Sequence, residues 1–135
     1  MPALTAGEVL ARASFDAAQA RWHRDGWKLR LVPGTGYQSQ LQGQVREHDR
    51  VVLLYPDEAD MPLPEVLFHE QVHVLWDLNN FPPVEHLLVE RFCRASFPLL
   101  GERRQALLLR LIDRADRNGI PPGEGPGDKR KKLRR

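Results

Sequence analysis

Pro64-Glu-Val-Leu-Phe-His-Glu-Gln-Val-His-Val-Leu-Trp-Asp-Leu78 is the stretch on which the reading of this chain turns. Leu63, Val66, Leu67 and Phe68 come before a polar core, and Val74, Leu75, Trp76 and Leu78 come after it. The stretch reads as a helix, on which residues four apart share a face. His69 and His73 therefore set two imidazoles side by side, with Glu70 offset by one position. Polar side chains in so apolar a helix are costly unless their atoms have partners. A metal ion supplies such partners. Two imidazoles can hold an ion and leave room for a water, and a neighbouring glutamate can take that water's proton. The pattern predicts a metal site, with His69 and His73 as ligands and Glu70 as catalytic base.

Upstream, Thr5 and Glu8 form a capping box that opens a helix. Val9, Leu10, Ala13, Ala17 and Ala20 supply its expected apolar stripe, and Gly26 follows its end. Trp27, Leu29 and Leu31 alternate with Lys28 and Arg30 as a short strand. Pro33 to Gly36 is a turn. Tyr37, Ser39, Leu41, Gly43 and Val45 then alternate with four glutamines, the mark of a sheet with one wet face. Arg46 to Arg50 is a polar hairpin loop, in which His48 and Asp49 are solvated. Val51 to Tyr55 is an apolar third strand, ended by Pro56.

Downstream, Asn79 to Pro83 breaks the motif helix. A further helix spans about Val84 to Phe97, and a last one about Glu102 to Arg117. Leu107, Leu108, Leu111, Ile112 and Ala115 form the expected buried side of the last helix. Its arginines Arg103, Arg104, Arg110, Arg114 and Arg117 form the expected solvated face. Asn118-Gly119 closes it as a C-cap. The expected fold is α+β: an N-terminal helix, a three-stranded, mainly antiparallel sheet, the motif helix and two further helices.

Two histidines leave a ligand to be found. The helix after the motif offers Glu90 and His86, four apart. A short turn joins the two helices, so they are expected to pack as an antiparallel pair. Glu90 follows His73 by 17 positions, enough to leave one helix and return about halfway along the next. Glu90 is the preferred third ligand and His86 the alternative. Glu85, at the helix start, ranks behind both. Hydrolysis also builds an oxyanion, which a donor side chain can stabilise. Tyr37 and Tyr55 are the candidates, with a place at the sheet rim as the simpler use of each. Trp76 and the small Cys93 are expected to serve packing.

The 135 residues fit one domain, expected over residues 1–118, with enough chain for a core that needs no disulfide. The single cysteine, Cys93, suits a reducing, cytoplasmic setting. Met1 to Ala20 carries Glu8, Arg12 and Asp16 and does not read as a signal peptide. No stretch has the length and apolarity of a membrane span. Net charge is +2, unevenly spread: the last eight residues hold six cations and one Asp. With Pro121 to Gly127 before them, residues 119–135 read as a disordered basic tail that can meet nucleic acid or an acidic partner.

Val51-Val-Leu-Leu-Tyr55, Leu67-Phe-His-Glu-Gln-Val-His73 and Glu90-Arg-Phe-Cys-Arg-Ala-Ser-Phe97 together resemble the ImmA/IrrE-type metallopeptidases, a group of small gluzincins. The resemblance spans Tyr37 to Phe97. It implies a zincin-like active-site helix, Zn2+ on His69, His73 and Glu90, and Glu70 as activator of water. It further implies cleavage of a protein substrate such as a DNA-binding repressor or antitoxin. Val51 to Tyr55 would then pair with the substrate backbone by strand addition. Such families often place Asp or Asn four residues after the ligand Glu. Arg94 stands there in this chain, and Asp77, four after His73, can orient a histidine instead. The competing reading is a non-catalytic module that binds a repressor or nucleic acid through its sheet edge and basic tail.

Overall fold

The computed structural model describes residues 3–32, 42–78 and 86–115; the side chains of Asp77, Leu78 and His86 fall outside that description. The element order is α1 (Ala6–Asp25), β1 (Lys28–Leu31), β2 (Gly43–Arg46), β3 (Val51–Leu54), α2 (Leu63–Leu78), α3 (His86–Ser96) and α4 (Glu102–Asp113). This is the α+β order expected from the sequence. Tyr37, the glutamine-rich run before Gln42, the Asn79–Pro83 break, the Asn118-Gly119 cap and the basic tail lie outside the described residues.

Local chemistry sets the first helix. The Thr5 hydroxyl accepts from the Glu8 N–H at 3.1 Å, and the Thr5 N–H donates to the Glu8 carboxylate at 2.8 Å. Gly26 ends α1 in the left-handed region, at φ 72°, where a side chain is disfavoured. The buried face of α1 is Ala11, Phe15, Ala18 and Trp22. The stripe expected from Val9, Leu10, Ala13, Ala17 and Ala20 is corrected here, because all five are exposed, Val9 and Leu10 at 53% and 58%. Phe15 and Trp22 bury far more apolar area than the alanines of the alternative face, and they decide which way the helix turns.

The sheet has the order β1-β3-β2. β2 and β3 form the expected antiparallel hairpin, with Val45 opposite Val52. β1 pairs with β3 in parallel, with Leu29 opposite Val52. β3 is therefore the central strand, and both of its edges are bonded. This corrects the expectation that Val51 to Tyr55 receives a substrate strand, since it has no free edge to offer. Among the described residues, β1 and β2 are the strands with an unpaired edge. Side chains alternate across the sheet. Leu29, Leu31, Val52 and Leu54 face the main core, and Val32, Val51, Leu53 and Tyr55 form a second apolar cluster on the other face.

α2 packs on β2, β3, α1, α3 and α4, which makes it the axis of the domain. Val66, Leu67, Phe68 and Val72 are almost fully buried, and Phe68 meets Phe15 at a ring-centroid distance of 6.2 Å. A helix packed against so many elements needs apolar residues on most of its faces, and Val66, Leu67, Phe68, Val72 and Val74 supply them around the buried polar residues His69, Glu70 and Gln71. In α4 the buried residues are Leu108 and Ile112, while Leu107 is 37% exposed. Arg104 is not part of a solvated face: its guanidinium makes a two-pronged contact with Asp16 at 3.1 Å per prong, tying α4 to α1. No helix among the described residues is long and apolar enough to cross a membrane.

Candidate metal centre

The helical spacing of α2 brings its two histidines together as anticipated. Their Nε2 atoms lie 3.1 Å apart, with ring centroids 4.8 Å apart. His69 is 5% exposed and His73 partly buried. An ion bound tetrahedrally at ordinary zinc–nitrogen lengths holds two donors about 3.3 Å apart. The imidazole pair thus has the spacing of two ligands of one ion, and the donor chemistry fits zinc.

Glu70 leaves the helix on the adjacent line and is 9% exposed. Its carboxyl reaches β2 and lies over the backbone of Gly43. A Cβ built at Gly43 would stand 3.0 Å from the Glu70 Cγ and 3.0 Å from its Oε2. Glycine at 43 leaves the space that the carboxyl fills, a close approach of the kind glycine permits in a strand. Loss of water pushes the Glu70 pKa up from 4.5 to about 7. A carboxylate poised there can both take and return a proton near neutral pH. On the α1 side of the same helix, Gln71 is buried and exchanges amide hydrogen bonds with Gln19, which links the two helices.

α3 brings Glu90 to the same recess as His69, together with Met61, Glu65, Cys93 and Arg94. Glu90 is only half-buried, and the Arg94 guanidinium stands 3.8 Å from its Oε2. Among the described residues no three His, Cys, Asp or Glu side chains come close enough to share one ion. The structure thus brings the two imidazoles and the Glu70 carboxyl together on one stretch of α2, and places Glu90 in the recess that His69 lines. Cys93 is buried there as a free thiol. Burial, and then the charges of Glu70 and Glu65, push its pKa up, so it stays protonated. Glu65 was missed by sequence reasoning. Its signal was its place four residues before His69, on the same helical face.

The remaining candidates lie elsewhere. The Tyr55 hydroxyl donates to the Gln44 side chain at 2.9 Å. Both belong to the sheet face opposite α2, since Gly43, Val45, Val52 and Leu54 face the motif helix. Tyr55 is thereby corrected from transition-state support to a sheet residue. Tyr37 lies outside the described residues. Asp77 belongs to α2 and His86 to α3, and their side chains are likewise outside the description. Trp76 packs on Phe92 of α3 at a centroid distance of 5.2 Å and helps to dock the two helices. His48 and Asp49 sit in the hairpin turn, where Asp49 pairs with Arg46. Comparison with protein-family models, with curated proteins and with solved structures gives no match to this chain.

Proposed function

We propose that the protein is a zinc-dependent peptidase in which His69 and His73 of α2 and Glu90 of α3 hold the ion. The observation that carries the reading is the pair of Nε2 atoms 3.1 Å apart, with the buried Glu70 carboxyl at the next position of the same helix. Zinc bound by these residues would supply Lewis acidity to a water molecule and to the substrate carbonyl. Glu70 would take the proton of the attacking water and return it to the departing amine, the two halves of one general-base, general-acid cycle. Three protein ligands would leave a position for water, whereas a structural site closes with four.

The substrate is an extended peptide segment. With β3 paired on both edges, strand addition falls to the edge of β2, the strand that meets Glu70 at Gly43. The resemblance to ImmA/IrrE-type enzymes points to a regulatory protein, such as a DNA-binding repressor, as that substrate. A cytoplasmic setting accords with the buried free thiol of Cys93.

Elemental mass spectrometry of protein purified without chelating resin is the deciding measurement. The expected result is about one zinc per chain, as for a single tetrahedral site. Glu70→Gln should keep that zinc and cleave about a thousandfold more slowly, as expected for loss of a general base. A chain that takes up no zinc even when zinc is supplied would sink the proposal. A Glu70→Gln variant that cleaves at the parent rate would leave a metal site but remove the mechanism.

A further inference from the structure

Two neighbouring depressions outside the recess around His69 share Leu111 and Arg114 in their linings. The first, about 290 Å³, lies between α1 and α4, with Gln19 and His23 on one wall and Leu107, Arg110, Leu111 and Arg114 on the other. The second, about 270 Å³, continues past Leu111 and Arg114 to Trp22, Trp27 and Leu29 at β1. Neither shares a residue with the recess around His69. The groove has a simple origin. α1 and α4 both rest on α2, and two helices lying on a third leave a channel between them.

The chemistry of the channel is one-sided. Leu29, Leu107 and Leu111 give it an apolar floor. His23, Lys28, Arg30, Arg110 and Arg114 surround that floor, and neither depression has a carboxylate in its lining. Three occupants can be weighed against this pattern. The chain's own continuation begins directly after Ala115, but residues 116–127 offer Ile120 as their one large apolar side chain and carry Pro121-Pro122-Gly123, which bars an amphipathic helix there, while the last eight residues, with six cations and one Asp, are repelled by like charge. A nucleic acid would offer phosphates to the cations, but its bases need exposed rings to stack on. Trp22 and Trp27 are stacked on one another, with centroids 6.0 Å apart, and both are buried. An amphipathic helix rich in acid satisfies both features, since its apolar stripe covers the leucines and its carboxylates meet the cations.

We propose that the α1–α4 groove is a docking site for an acidic, leucine-bearing helix of a partner protein. The proposal is independent of the peptidase reading, because the groove and the recess around His69 are separate.

The test uses the full chain and a fluorescein-labelled peptide with leucines at i, i+3, i+4 and i+7 and glutamates on its outer face, read by fluorescence anisotropy. Binding with a Kd of about 10 µM or tighter is expected, as for a small interface. It should weaken about tenfold or more in Arg110→Glu/Arg114→Glu and fade with added salt. Leu107→Gln, at an exposed position, should weaken it without charge reversal and guards against a misfolded double variant. Glu70→Gln should bind as the parent does. The proposal is overturned if the striped peptide does not bind, or if a scrambled peptide of the same composition binds equally well. It is also overturned if neither groove variant loses affinity. Displacement of the peptide by oligothymidylate would assign the groove to nucleic acid instead.

Discussion

Glu70 and Glu90 flank the same histidine and live in different worlds. Glu70 is 9% exposed, seated against the backbone of Gly43, and titrates near pH 7. Glu90 is half-buried and faces the Arg94 guanidinium across 3.8 Å. The first is held by the helix that carries the histidines, with a strand pressed against it. The second arrives on another helix, and its distance from the histidines depends on how α3 packs on α2. Helical periodicity fixes neighbours within one element at almost no cost in precision. Across two elements the same precision has to come from side-chain packing along the whole contact.

The largest effect that separates the two sides is on metal. His69→Ala or His73→Ala should lower zinc affinity about a hundredfold or more, because each removes a donor from a site whose binding energy is shared among few ligands. Competition with a chromophoric chelator measures it. A variant of either histidine that binds zinc like the parent would break the account of α2 as the metal-holding helix.

Burial itself gives the next effect. In the metal-free chain the Glu70 carboxyl ionises near 7 when folded and near 4.5 when unfolded. Below 4.5 both states hold the proton and nothing is lost. As pH rises through that interval the unfolded state sheds its proton first, so the folded state loses ground, fully so above 7. The difference corresponds to about 3 kcal/mol at most. Glu70→Gln should therefore stabilise the metal-free protein by up to about 3 kcal/mol at alkaline pH and hardly at all in acid. Urea unfolding at several pH values reads this directly, and a gain that did not vary with pH would contradict the buried-charge explanation.

Smaller effects sharpen the role of α3. If Glu90 closes the site, Glu90→Gln should weaken zinc by about tenfold. Arg94→Gln, by removing a cation from the ligand's side, should tighten zinc a few-fold. The opposite sign for Arg94→Gln would show that the ion pair organises the recess rather than competing with metal. Gly43→Ala should matter least. The flexible Glu70 carboxyl must give by a few tenths of an ångström, so zinc content should hold while turnover falls several-fold.

The sequence carried the local half of this protein. Capping at Thr5 and Gly26, the alternation of Trp27 to Leu31, the apolar strand at Val51 and the four-residue spacing of His69 and His73 are short-range regularities. Their outcome hardly depends on the rest of the chain. The failures share the opposite property. Val9 and Leu10 made as good a stripe on paper as Ala11, Phe15, Ala18 and Trp22, and only the fit of the large rings into the core chose between them. Strand order placed β3 in the middle and so removed it as a partner for substrate, because a run of apolar residues does not say which strands lie on its two sides. Arg104 reads as solvated until Asp16 of α1 is placed beside it. Gly43 reads as a weak point in a strand until the Glu70 carboxyl fills the space above it. Short-range regularities thus set the elements and the spacing of the motif. Tertiary structure alone decided which faces are buried, which edges are free and how near Glu90 comes to the histidines, because those depend on contacts between residues far apart in the chain.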